Sequence, residues 1–67
     1  DKAIERLSRL MSLDPSNAEG RFYLGYSYYE TGRYEEAGES FREVLKMEVS
    51  PELRETAMKY LEQIDNI

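Results

Sequence analysis

The chain contains no cysteine and no histidine. The first absence excludes disulfide staples and thiolate metal sites, and says little about compartment. The second removes the commonest metal ligand and the usual acid–base group near neutral pH. No nucleophile–base pair with a histidine can therefore be built. Long apolar runs are also missing. The longest falls far short of the ~20 residues that span a bilayer, and no cleavable signal pattern is visible. Basic residues are outnumbered, 9 Lys and Arg against 14 Asp and Glu, for a formal net charge of -5. Phosphate binding needs clustered Lys and Arg, so nucleic acid is not an expected partner. Surface acidity of this kind serves solubility and leans only mildly toward basic or neutral partners.

The 67 residues suffice for one small domain or a piece of a larger one. A chain of this size buries only about 60% of the surface its unfolded form exposes, so its stability is expected to be marginal. Asp1 stands first without a methionine, which reads as an excised or processed piece of a longer chain. The expected setting is a soluble one, with the cytoplasm ahead of other compartments.

What is present is helical periodicity, interrupted three times. Residues 2–13 place Ala3, Ile4, Leu7, Leu10 and Met11 on one face with charged residues opposite. Asp14-Pro15-Ser16-Asn17 then stops the pattern, because proline disfavours helix in the residue before it. Ser16 followed three residues later by Glu19 matches a capping box, so a second helix starts near Asn17 or Ala18. It ends around Glu30 or Thr31, where Gly32 can adopt the left-handed conformation that closes a helix. A third pattern, Tyr34 to Met47, turns Ala37, Phe41, Val44 and Leu45 inward. Ser50 as N-cap and Pro51 at the first helical position open a fourth, to about Asp65, with Leu53, Ala57, Leu61 and Ile64 on one face. The reading is all-α, four helices with short connections.

Two relations between these helices carry the organisation. Displaced by 34 residues, the first helix lands on the third, pairing Ala3 with Ala37, Leu7 with Phe41, Leu10 with Val44, Met11 with Leu45 and Leu13 with Met47. Within the central stretch, Leu24-Gly25-x-x-Tyr28 is followed by Gly32, Tyr34, Ala37 and Phe41. Small residues there let helix axes approach, and large ones on the partner fill the space. This spacing resembles the tetratricopeptide repeat, a helix–turn–helix unit of 34 residues.

The resemblance implies antiparallel helical hairpins stacked as a fragment of an α-solenoid within a single domain, 1–67. Residues 1–13 would be the second helix of a preceding partial repeat, 18–49 one complete repeat, and 50–67 a following or capping helix. Asp14-Pro15 looks like the family's exit turn. Two positions depart from the pattern: Arg21 stands where the family places Trp or another large apolar residue, and Val49 where it places proline, with Pro51 two residues late. The second departure leaves the orientation of the last helix open.

Such repeats are interaction scaffolds whose first helices line a concave groove for a partner peptide or helix. On a helical wheel, Arg21, Leu24, Gly25 and Tyr28 form one stripe of the second helix, taken as the hairpin core. Phe22, Tyr26 and Tyr29 form another a quarter-turn away, with Glu19 at its leading end. Two readings of these rings stand side by side. They are the floor of a partner-binding groove, since rings supply large, rigid contact area, or they are packing surface for the segment after Pro51. The resemblance makes Glu19, Phe22, Tyr26 and Tyr29 the candidate partner-binding residues. Family members that clamp a carboxylate tail need a basic residue and an amide where Phe22 and Tyr26 stand, so an apolar or aromatic-rich ligand is expected instead.

Other chemistry is not supported. Glu35, Glu36 and Glu39 cluster at a helix start, where the macrodipole favours them. Asp14 to Asn17 lacks the register of a calcium loop, and the four glycines follow no strand, so no phosphate loop is formed. No enzyme activity, cofactor or metal is expected. The partner is a protein or peptide. The alternative function is structural self-association, a symmetric dimer that exchanges or stacks terminal helices to cover Leu7, Leu10 and Met11.

Overall fold

A computed structural model describes residues 2–14 and 16–67, apart from the Ala3 side chain. The exit turn expected at Pro15, the inward placement of Ala3 and the start at Asp1 lie outside the described residues. Among those described there are four helices and no strand: α1 (Lys2–Leu13), α2 (Ala18–Glu30), α3 (Tyr34–Lys46) and α4 (Pro51–Asp65). Each packs on the next in order, α1 on α2, α2 on α3, α3 on α4. No helix of the described residues is long and apolar enough to cross a membrane.

The helix ends show how the local sequence sets them. Thr31 is the C-cap of α2, and Gly32 follows at φ 82. The Gly32 N–H donates to the Tyr29 carbonyl at 3.2 Å and the Arg33 N–H to the Tyr28 carbonyl at 2.8 Å. These two bonds make a Schellman closure, which needs a residue free to take positive φ. At the start of α4, the Ser50 hydroxyl accepts the Leu53 N–H at 3.2 Å, and Pro51 fills the first helical position, where its missing N–H is no loss.

The start of α2 differs from expectation. Asn17, not Ser16, is the N-cap: its side-chain oxygen accepts the Gly20 N–H at 2.9 Å. The Ser16 hydroxyl is occupied elsewhere, donating to Asp14 Oδ1 at 2.9 Å. Asn and Ser cap about equally well, so the hydroxyl's nearby carboxylate decides between them.

The main core unites Phe22, Ala37, Phe41, Val44 and Ala57, with Tyr28, Tyr29 and Tyr60 among the half-buried residues against it. Phe41 and Val44 are the largest side chains fully withdrawn from solvent. Gly25 lets α2 come close to α3. A Cβ built on it would stand 3.0 Å from both Phe41 Cε1 and Ser40 Cβ. A smaller cluster joins Ile4 and Met11 of α1 to Leu24 of α2, with Leu7 and Tyr28 beside it.

Two assignments are corrected. Leu24 does not belong with Gly25 in the α2–α3 core; it packs toward α1, and Tyr28 bridges both clusters. A helix held between two neighbours has two packing faces, and a wheel alone merges them. Leu10, expected inward on α1, is 36% exposed, while its counterpart Val44 is 0% exposed. Among the described residues α3 packs closely on both α2 and α4, whereas α1 packs closely on α2.

Candidate functional site

The site builds from the face of α2 turned toward α4. Phe22 is buried at 9% exposure, its ring 5.4 Å from Phe41 and 6.0 Å from Tyr60. Tyr60, projecting from α4, organises the rest. Its ring stacks on Phe41 at 5.3 Å with planes 12° apart, and meets Tyr29 edge-on at 5.3 Å and Tyr26 at 5.8 Å. Edge-to-face and offset contacts of this kind each add about 0.5–1.5 kcal/mol beyond area burial. The Tyr29 hydroxyl also donates to Gln63 Oε1 at 2.9 Å. All three rings of the α2 stripe thus touch α4, which fixes that helix's orientation where the sequence left it open.

The stripe is divided in accessibility. Phe22 is core and Tyr29 is half-buried, whereas Tyr26 is 38% exposed and Glu19 faces solvent. Between the first turns of α2 and α4 lies a depression of about 330 Å³, walled by Glu19, Phe22 and Tyr23 on one side and Ser50, Glu52, Leu53 and Thr56 on the other. Glu19 and Phe22 come together there. Tyr26 and Tyr29 continue the stripe beneath Tyr60 and do not line the depression. A second, smaller hollow shares Glu19, Ser50 and Leu53 and adds Glu48 and Val49. The chemistry available is an apolar floor with a carboxylate rim. Its only ionisable wall groups besides Tyr23 are glutamates, so it can seat an apolar side chain and attract a neighbouring positive charge.

Tyr26 has a further electrostatic feature. A hydrogen bond to Glu30, and then the Glu30 charge itself, raise its phenol above the ordinary 10.0.

Tyr23 is not among the residues the sequence singles out, yet it forms a wall of the depression. Thr56 and Tyr60 were likewise not singled out, and Leu53 was placed only on the apolar face of the fourth helix. For Tyr60 a signal was present, since one reading of the α2 rings made them packing surface for the segment after Pro51, but the sequence did not say which residue of that segment would meet them.

Four helices in sequence-adjacent packing, with a glycine-closed hairpin at the centre, define a helical-hairpin repeat protein. A family model described as tetratricopeptide repeat matches residues 18–48, and a second, described as TPR repeat, matches residues 1–32. The chain belongs to the tetratricopeptide repeat family. No curated protein and no solved structure matches it. Members of this family are in general protein–protein interaction modules, and typically not catalysts.

Proposed function

We propose that the chain holds a short segment of a partner protein against the α2–α4 face, using Glu19, Phe22, Tyr26 and Tyr29, with Tyr23 and Leu53 added from the structure. In this reading residues 18–49 are one complete repeat, 1–13 the second helix of a preceding one, and 50–67 a following or capping helix. The observation that carries the reading is the depression beside Phe22, apolar at its floor and rimmed by Glu19 and Glu52. Phe22 and Tyr29 act from within, as packed support. Tyr23 and Tyr26, exposed above them, act as contact surface. The segment that fits carries an aliphatic or aromatic anchor next to a basic residue.

The test begins with peptides selected from a random display library on the immobilised chain. Their affinities are then compared for the wild type, Glu19→Lys, Tyr23→Ala and Tyr26→Ala. Each substitution is at an exposed position, and loss of a ring anchor of this type weakens binding about tenfold or more. The helical circular-dichroism signal should not change. Selected peptides that bind all three variants as tightly as the wild type contradict the assignment. Phe22→Ala is a poor probe, because emptying a buried phenylalanine site costs ~3–5 kcal/mol of stability and would confuse unfolding with lost contact.

A further inference from the structure

The exposed side of α2 carries a repeated pairing that extends beyond the depression. Glu19 and Tyr23 stand four residues apart, as do Tyr26 and Glu30, and all four are exposed. At 3.6 residues per turn they fall within about 60° of one another around the helix. Phe22 and Tyr29, which meet Tyr60 of α4, lie on the neighbouring stripe. The order along the exposed stripe is acid, ring, ring, acid.

The two halves are built alike. Phe22 meets the Tyr23 ring edge-on at 5.7 Å with planes 71° apart, and Tyr60 meets the Tyr26 ring at 5.8 Å and 73°. Phe22 and Tyr60 are themselves in contact at 6.0 Å, so both exposed rings rest on one packed pair. A ring braced in this way loses little freedom when a ligand covers it. About one turn to the outer side of each ring stands a carboxylate. Glu30 is the last residue of α2, where no base is present and the macrodipole disfavours an anion. Helix electrostatics therefore does not account for an acid at that position. Its hydrogen bond to Tyr26 ties the carboxylate to the ring instead.

An aromatic face beside a carboxylate suits one cation above others. A guanidinium stacks flat on a ring and donates from its edge to an acid, whereas an ammonium is a compact, strongly hydrated point charge. We infer that α2 carries two arginine seats, Glu19 with Tyr23 and Tyr26 with Glu30, and that the partner segment presents two arginines about 10 Å apart, one to each. Seven residues of helix rise separate the centres of the seats, which sets that spacing. The inference rests on the α2–α4 face being the peptide-holding surface, and it names what that surface selects. The first seat adjoins the depression, and the second lies farther along α2, outside it. An apolar anchor in the depression, next to one arginine, gives the segment its direction. The net negative charge of the chain favours such a dibasic segment over an acidic one.

Glu30→Gln tests the second seat, with display-selected peptides labelled with fluorescein and followed by anisotropy. The substitution removes an acid from a helix end that disfavours it, so lost affinity cannot be ascribed to unfolding. The tightest peptides should carry two arginines. Changing either one to alanine should weaken binding about three- to tenfold, and changing it to lysine should weaken binding by a smaller factor. Glu30→Gln should weaken the parent peptide about as much as the alanine change does. It should leave unaltered the affinity of the peptide that lacks the arginine seated there, because the two changes remove the same contact. Peptides that depend on Glu19 and Tyr23 but not on Glu30, that gain nothing from a second arginine, or in which lysine serves equally, overturn the inference and leave the peptide-holding face standing. A chain that selects no peptide, or peptides indifferent to Glu19, Tyr23 and Tyr26 alike, overturns both.

Discussion

Gly25 and Gly38 lie in helices packed on each other and should respond oppositely to one added methyl group. A Cβ at Gly25 meets Phe41 Cε1 and Ser40 Cβ at 3.0 Å, and Phe41 is wholly enclosed. Overpacking costs ~1–3 kcal/mol, which outweighs the ~1 kcal/mol gained from alanine's helix propensity. A Cβ at Gly38 meets only the movable Arg42 guanidinium, 3.4 Å away, so the propensity gain stands. Gly25→Ala is therefore expected to lower the melting temperature and Gly38→Ala to raise it, by roughly 4–8 °C per kcal/mol in a domain of this size. Thermal melts of the two variants check the signs. Tyr26 yields a second test. Its raised pKa means that the folded chain holds the phenol proton more tightly than the unfolded chain does. The associated stability is fully present below the unfolded value near 10 and is lost as pH rises through the folded value. Ring-carbon NMR of Tyr26 should show its titration midpoint falling in Glu30→Gln; an unchanged midpoint would locate the cause elsewhere.

At the scale of helices, most boundaries were legible because each rests on a few neighbouring residues. Gly32 closing α2 and Ser50-Pro51 opening α4 are of this kind, and the structure has both. The α2 cap was misread because two good capping residues stand side by side, and the choice between them depends on where the Asp14 side chain lies. The correction has a measurable consequence. Asn17→Ala should lower stability by ~1 kcal/mol, the usual value for a lost cap, while Ser16→Ala, whose hydroxyl is exposed and bonded only within the turn, should stay within ~0.5 kcal/mol. Urea midpoints separate the two. Equal losses would restore Ser16 as a capping residue. Faces were less legible than ends. Periodicity says which residues of α2 point the same way, and it grouped Leu24 with Gly25. Which neighbour each meets is set by α1 and α3 lying on different sides, a long-range fact that no local pattern contains.

For the molecule as a whole, the candidate site is partly the product of α4. The α2 stripe, Phe22, Tyr26 and Tyr29, could be recognised as surplus apolar surface from the sequence, but its partition could not, because that depends on Tyr60 reaching all three rings. Docking of α4 withdraws Phe22, leaves Tyr26 accessible and creates the depression whose far wall is Leu53 and Thr56. The central claim is that a partner segment is held jointly by α2 and α4. Amide NMR of the nitrogen-labelled chain, titrated with a selected peptide, tests this most directly. Shifts should concentrate at Glu19, Tyr23 and Tyr26 on one helix and at Leu53 and Thr56 on the other. Shifts confined to α1, or to the outer face of α4 around Met58 and Glu62, would contradict the account.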